Sequence, residues 1–345
     1  MTLSPDLIAK FSSLGLSTEP DSSLPPLLPP PTPTPALQKA LSRLDLLQAK
    51  DRLDEDGYTV IDNVFSPDEC DLLIAAVKSK TRIGYIKNLL QSNDALFFEA
   101  VVREKLMVLA EAVLGPDFLM LQSSATVFGP HGGGVLPAGL TCYGLHSDQP
   151  MHDPRRTDLK LYSAPRNRTN MLTCCVVLSD GYSAETGATH VVPGSHRLRR
   201  FPDPAAVAHA EKIAEPIVAK RGDVACWDSN VWHAFGVRQI PGELVVLHIS
   251  YAHPEGGEAH DDYDAIPSNA FMGQPFEQPI IQLLQRHPTT GEIQTTNPHR
   301  RRLYWEEAFV RFMDRLPASF GKWLYKKSFA YLAKKEFARA EKAAT

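Results

Sequence analysis

His146 and Asp148 stand two residues apart in Leu145-His146-Ser147-Asp148-Gln149. On a strand, positions i and i+2 face the same side, so an imidazole and a carboxylate project together into one interior. Alone, a short His/Asp pair is a chance event in a chain of 345 residues. It gains force from a second histidine downstream, His233, in Trp227-Asp228-Ser229-Asn230-Val231-Trp232-His233. Two histidines and one carboxylate form the facial set that holds non-haem Fe(II) and leaves positions open for cosubstrate and oxygen. His146, Asp148 and His233 are therefore the candidate metal ligands.

Such a set must be carried by strands, and the chain turns to β texture from Phe118 onward. Residues 119–128, 140–147, 171–179, 190–193, 222–227, 232–236 and 244–251 are seven candidate strands. Many short strands with Gly/Pro-rich connections argue for a sandwich or barrel. Two connections, 149–170 and 197–221, are long, and long loops in compact domains are often lids or binding loops. Ahead of the strands, Leu37, Leu41, Leu44 and Leu47 predict a helix over 36–56, ended by Gly57. A short strand follows at Tyr58-Thr59-Val60-Ile61. Ser66-Pro67-Asp68-Glu69 then reads as a capping box opening a helix that runs to about Lys80. Residues 98–114 form another expected helix, closed by Gly115-Pro116.

The two ends differ from this centre. Seven of the eleven residues from Pro25 to Pro35 are proline, which favours extended polyproline structure and cannot build a core. Residues 1–35 are thus expected to be a Pro-rich disordered tail, dispensable for stability and turnover. Residues 36–297 are expected to form the main domain and 298–345 a basic helical extension. Residues 300–345 hold twelve Lys/Arg against five Asp/Glu, a net of +7, so the rest of a chain of net charge −4 carries −11. The extension reads as amphipathic helices packed on the barrel, or as a peripheral dock for an anionic membrane surface or a partner.

Composition excludes several classes. The overall charge gives no reason to expect nucleic acid as a partner. No apolar run approaches the ~20 residues of a transmembrane helix, and no basic-then-apolar leader opens the chain. Five cysteines, an odd number without C-x-x-C spacing, argue against a disulfide framework or a zinc knuckle. They fit an intracellular, cytoplasmic setting, with Cys142, Cys174, Cys175 and Cys226 as packing residues. Nothing in the sequence fixes an oligomeric state.

In this order, four stretches resemble the phytanoyl-CoA dioxygenase family of Fe(II)/2-oxoglutarate oxygenases. They are Asp56-Gly57-Tyr58-Thr59-Val60-Ile61 with Phe65-Ser66-Pro67-Asp68-Glu69; Gly144-Leu145-His146-Ser147-Asp148-Gln149; the run from Glu185 to Pro193-Gly194-Ser195-His196; and Gly222-Asp223-Val224 leading into Trp232-His233. The resemblance spans residues 52–254. It implies a mainly β fold with flanking helices, a double-stranded β-helix (a cupin-like jelly roll). It also implies Fe(II), 2-oxoglutarate as cosubstrate and O2, with a small or lipid-like molecule oxidised, most simply by hydroxylation, as succinate and CO2 are released. Iron halogenases of this fold lack the carboxylate ligand. Asp148 is present, which favours hydroxylation, desaturation or another oxidation. His196 matches a family histidine that is not a ligand. His131, His152, His190, His248 and His253 read as surface, loop or core residues.

One position departs from the family. An arginine about eleven residues after the distal histidine usually clamps the far carboxylate of 2-oxoglutarate, and here that position is Leu244. A planar guanidinium is the usual partner for a carboxylate, and leucine cannot replace it. Arg238 and Lys87 are the candidate replacements, and Gln122 on the first core strand is a further candidate cosubstrate contact. The departure keeps two other readings open: a non-catalytic metal-binding jelly roll that serves interactions, and an iron enzyme that does not use 2-oxoglutarate.

Overall fold

A computed structural model describes residues 3–20, 32–80, 84–128, 140–148, 169, 171–253, 263–286 and 288–291. The elements in chain order are α1 (Pro5–Ser13), α2 (Pro35–Arg43), α3 (Leu47–Asp56), β1 (Tyr58–Ile61), α4 (Pro67–Lys80), β2 (Gly84–Ile86), α5 (Ala95–Val101), α6 (Glu104–Leu114), β3 (Leu119–Phe128), β4 (Cys142–His146), β5 (Met171–Val177), β6 (His190–Val191), α7 (Pro204–Ala208), α8 (Ala210–Ile213), β7 (Glu215–Pro216), β8 (Val224–Asp228), β9 (His233–Gly236), β10 (Leu244–Ala252) and α9 (Glu277–Leu283).

The strands form two antiparallel sheets, β1-β8-β5-β10-β3-β2 and β4-β9-β6-β7. From β3 to β10 the chain passes back and forth between them, which winds a double-stranded β-helix. Its two faces follow from strand alternation. On β10, Val245, Leu247, Ile249 and Tyr251 point out under the helices, while Leu244 and Val246 point into the barrel. On β5, Leu172, Cys174 and Val176 face the helices, while Cys175 and Val177 face inward. That is why β5 reads as an apolar run interrupted by Thr173 alone: both of its faces are buried. All five cysteines are free and buried. Cys174 and Cys226 lie opposite one another on β5 and β8, with sulfurs 3.5 Å apart.

Each of the seven expected core strands is present, and the helix after Ser66 starts with the expected box. The Ser66 N–H donates to the Glu69 carboxylate at 2.8 Å, and the Glu69 N–H donates to Ser66 Oγ. Gly57 closes α3 at φ 80°, as expected. Elsewhere the chain differs from the expectation. The helix over 36–56 is two helices, because Asp45 takes φ 58° and turns the chain so that Leu41, Leu46 and Leu53 all reach one core. The helix over 98–114 is also two: α5, which begins earlier at Ala95 and is capped by Asp94, and α6, with the break at Val102 and Arg103. The 197–221 connection contains α7, α8 and β7, not a bare loop.

The largest difference is at the start. Residues 3–20 are not a free arm: α1 buries Leu7 and Phe11, and Leu3 and Leu16 join them against the smaller sheet. Most of the proline run and the whole 298–345 extension lie outside the described residues, as do His131 and His152. Among the described residues no helix is long and apolar enough to cross a membrane.

Gly222 shows how tightly the helical layer meets the barrel. It has φ +86°, and a Cβ there would lie 2.2 Å from the Phe65 carbonyl oxygen. Its own carbonyl accepts the N–H groups of Val64 and Phe65 at 3.0 Å each. Gly222→Ala should cost about 2–3 kcal/mol through strain and displacement of this turn. Chemical denaturation measures it, and an unchanged midpoint would contradict the packing described.

Candidate metal centre

β4 and β9 pair so that His146 lies directly opposite His233, across an irregular stretch that begins after Tyr143. Their rings are 4.2 Å apart, centroid to centroid. Gly144, at φ +71°, lies within that irregularity and re-aims the end of β4. Asp148 follows just past the strand, on the same side as His146, as the i, i+2 spacing requires. Asp148 Oδ1 is 3.6 Å from His146 Nε2 and 3.5 Å from His233 Nε2. One ligand atom from each residue lies within 4.8 Å of the others. Mutually cis ligands at bonds of about 2.0–2.2 Å stand roughly 3 Å apart, so a small inward shift closes these donors on one ion.

The tautomers suit that role. His146 Nδ1 meets the Gly144 carbonyl at 2.6 Å, and His233 Nδ1 meets the Val231 carbonyl at 3.0 Å. Each Nδ1 is therefore placed to donate to a carbonyl, which leaves Nε2, on the Asp148 side, as the nitrogen that a metal would take. Asp148 keeps a solvent-facing side, with its side chain 31% exposed. Loss of hydration pushes its carboxyl up, but in the metal-free site the charge of His233 and the hydrogen bonds of both imidazoles, when they are protonated, outweigh this and hold it well below the usual carboxylate range. The donor set fits a divalent transition metal.

The backbone around the triad is fixed from beneath. The Ser229 carbonyl accepts both the Asp148 N–H at 3.0 Å and the Ser147 hydroxyl at 2.9 Å. Asp228 Oδ1 accepts the backbone and side-chain N–H of Asn230 at 2.8 and 2.9 Å, and Thr169 donates to Oδ2. Just before His233, the Trp232 N–H donates to Ser195 Oγ at 2.8 Å, and the Trp232 carbonyl accepts from Val192. Gly194 in turn donates to the Asp56 carbonyl at 2.7 Å. The Gly57 and Pro-Gly-Ser-His stretches, distant in sequence, thus meet. A Cβ on Gly57 would sit 2.5 Å from the His196 ring, so His196 packs beneath this junction, and it is not part of the metal-competent group of His146, Asp148 and His233.

The three candidate cosubstrate residues separate. Gln122 donates to the Tyr85 hydroxyl and to Ser124 Oγ at 3.2 Å, and Lys87 lies 5.9 Å from the Tyr85 ring centre. Tyr85 opposes Thr126 on β3, so this cluster lies on the barrel side of the β2–β3 edge. Arg238 has a different task. Its three guanidinium nitrogens donate to the carbonyls of Gly242, Thr186 and Pro241, which closes the turn from β9 to β10. That commitment removes it as a counter-charge inside the barrel. Leu244 is 1% exposed within the interior apolar cluster.

Sequence reasoning missed Tyr85 and treated His248 as a bystander. On β10, His248 faces inward between Ser124 of β3 and Cys175 of β5. The Trp227 ring packs 5.7 Å from His233 and 6.3 Å from His248, centre to centre. Burial pulls the His248 imidazole down to about 4, the Asp148 charge only partly opposing this. The i, i+2 step from Leu244 through Val246 was the signal that could have located it. Phe235, 47% exposed, stacks on His146 at 5.4 Å.

The sequence profile of phytanoyl-CoA dioxygenase (PhyH) matches residues 53–236. The chain belongs to the phytanoyl-CoA dioxygenase family. Among curated relatives, the uncharacterized proteins Rv1501 of Mycobacterium tuberculosis and Mb1539 of Mycobacterium bovis are each 40% identical over 125 residues, 36% of this chain and 45% of theirs. The chain therefore spans about half the length of the curated relatives it matches. Similar solved structures include HygX from Streptomyces hygroscopicus with nickel and 2-oxoglutarate bound, 17% identical, covering 60% of this chain and 87% of HygX at a TM-score of 0.47. Another is the epimerase SnoN in complex with Fe3+, alpha ketoglutarate and nogalamycin RO, 18% identical, covering 63% and 85% at 0.47.

His248 gives this family member a pH signature. Its folded value of about 4 lies below the ordinary 6.5, so folding keeps it neutral where the unfolded chain would protonate it. Its contribution is complete above about pH 6.5 and lost as pH falls towards 4, by up to about 3 kcal/mol. Unfolding of metal-free parent and His248→Gln, compared from pH 7 to 4, should show a shallower loss in the variant. Equal slopes would remove His248 from this role.

Proposed function

We propose that this protein is an Fe(II)/2-oxoglutarate-dependent dioxygenase that oxidises a small or lipid-like organic substrate, with hydroxylation as the simplest outcome and succinate and CO2 as co-products. The observation that carries the reading is the triad: two Nε2 atoms that lie 3.6 and 3.5 Å from one carboxylate oxygen. His146, Asp148 and His233 would hold the iron. When bound, the iron with 2-oxoglutarate and O2 supplies a strong oxidant as the cosubstrate is decarboxylated.

The protein's own residues do the remaining work. The Nδ1 contacts to Gly144 and Val231 hold the ligand rings so that metal binding needs little reorganisation. Trp227 and Phe235 flank the histidines with apolar rings and limit water around the reacting centre. Lys87, with Tyr85 and Gln122 beside it, is the proposed partner of the cosubstrate's distal carboxylate, since an unpaired buried carboxylate is costly. His248 is neutral near pH 7 and would offer a hydrogen bond without adding charge.

A specific observation supports a second reading. Leu244 is apolar and buried where the family resemblance expects an arginine, and Arg238 is taken up by its own turn. That combination would suit a metal centre that does not use 2-oxoglutarate.

The two readings are separated by calorimetry of 2-oxoglutarate with metal present, followed by succinate formation. Binding and succinate release are expected. A parent protein that binds metal but not 2-oxoglutarate would favour the second reading. His233→Ala should lose metal outright, and full retention would sink the ligand assignment. Lys87→Ala should raise the 2-oxoglutarate requirement by at least about tenfold with metal binding intact, the loss expected on breaking a partly buried charged contact. A Lys87→Ala protein that saturates like the parent would clear Lys87 of the role.

A further inference from the structure

Trp232 precedes the ligand His233 and is fully buried on the opposite side of the strand. It is held from several directions at once. Its indole N–H donates to the Arg200 carbonyl at 2.7 Å, and the Arg200 guanidinium lies 5.1 Å from its ring centre. Phe11 of α1 stacks on it at 5.9 Å with planes 22° apart. Arg200 also donates to the Ser17 carbonyl at 2.8 Å and pairs with Asp203 at 2.9 Å, tying the segment after α1 to the same spot.

The second histidine strand meets the same cover. Leu145 precedes His146 and points outward into the cluster that contains Trp232, Cys142, Val192 and Leu198. From α1 and its flanks, Leu3, Leu7, Phe11 and Leu16 join this cluster, with Ala206, Ala210 and Ile213 of the α7–α8 pair beside them. Strand residues alternate sides, so a tilt that moves Trp232 or Leu145 moves the adjacent histidine the opposite way. The outward partners of both imidazole ligands thus share one small apolar cluster, and α1 supplies much of it.

α1 carries its own start and stop signals. Ser4 caps it by accepting the Leu7 N–H, Pro5 takes the first turn, and the N–H groups of Leu14 and Leu16 return to the Phe11 carbonyl at 3.1 and 2.9 Å. Nine residues are too few for a stable helix in water, so α1 forms where it is docked.

We infer that α1 is a positioning element of the metal centre: Phe11, acting through Trp232, holds His233 in register with His146 and Asp148. The inference rests on the reading that this triad binds a divalent metal. It also replaces the expectation that the first 35 residues are dispensable.

The test uses the full-length protein and Co(II) as the probe, with affinity from calorimetry and geometry from the visible spectrum of the bound ion. Phe11→Ala should stay folded by circular dichroism, weaken Co(II) at least about tenfold and alter the spectrum. Phe11→Leu should recover much of the affinity. Leu37→Ala truncates an apolar side chain of the other helical cluster, so it should lower the melting temperature and leave Co(II) binding unchanged. Arg200→Met, which removes the tie to Ser17, gives the same reading if Phe11→Ala is insoluble: weaker Co(II) is expected. If the parent binds Co(II) and Phe11→Ala or Arg200→Met binds it equally with an identical spectrum, the inference is overturned. It is also overturned if Leu37→Ala weakens Co(II) as much as Phe11→Ala does. If the parent itself binds no Co(II), the metal reading beneath it fails.

Discussion

The pairing of β4 with β9 is the constraint on which the rest of the molecule depends. It puts His146 opposite His233 and leaves Asp148 two residues beyond, so two imidazole nitrogens and a carboxylate converge within a few ångströms. Slipping either strand by one residue would turn a candidate ligand to the outer face and a tryptophan or leucine to the inner one. Register here is chemistry. The features around it prevent that slip: the irregularity at Gly144, the Ser229 carbonyl that takes two donors from the Asp148 turn, and the Asp228–Asn230 bracket that leads into β9. None of these groups touches the point where the three candidate ligands meet, yet each fixes backbone within three residues of one of them.

Much of this was legible in the sequence because its signals are local. The i, i+2 spacing of His146 and Asp148 needs only strand geometry, and the Ser66–Glu69 box needs only one helical turn. The strands were readable because inward and outward residues alternate, or run unbroken where both faces are covered. What could not be read was set by partners distant in sequence. Asp45 breaks a helix that local periodicity would continue, because Leu41 and Leu46 must reach the same core. Arg238 looked like a free cation until the carbonyls of Thr186, Pro241 and Gly242 surrounded it. α1 was hidden for another reason. Leu3, Leu7 and Phe11 recur every four residues, but the proline run that follows dominated the reading of the terminus.

The interior of the barrel is divided. Leu244, Val246, Cys175, Val177 and Ala225 make one part apolar. Gln122, Ser124, Thr173, His248 and Ser250 give the neighbouring part uncharged donors and acceptors, some already joined, as in the 3.3 Å contact between Thr173 and Ser250. The cation of Lys87 stands at the edge of this field beside Tyr85, not at the centre of β10. An anionic ligand would therefore meet hydroxyls and amides across the floor, with charge coming from the β2 side.

The two sheets are unequally protected. The larger has long central strands under a continuous helical layer, whereas β6 and β7 in the smaller are two residues each. Sub-global opening begins where buried apolar contacts are fewest and ladders shortest. The smaller sheet is thus the weaker cooperative unit, and it is the one that bears both imidazoles. Its amides should exchange with solvent through partial openings that leave β5 and β10 intact. A bound ion that bridges β4 to β9 would then do more than await substrate. It would staple the loose half of the barrel to itself, so that loading the site and annealing the fold become one event.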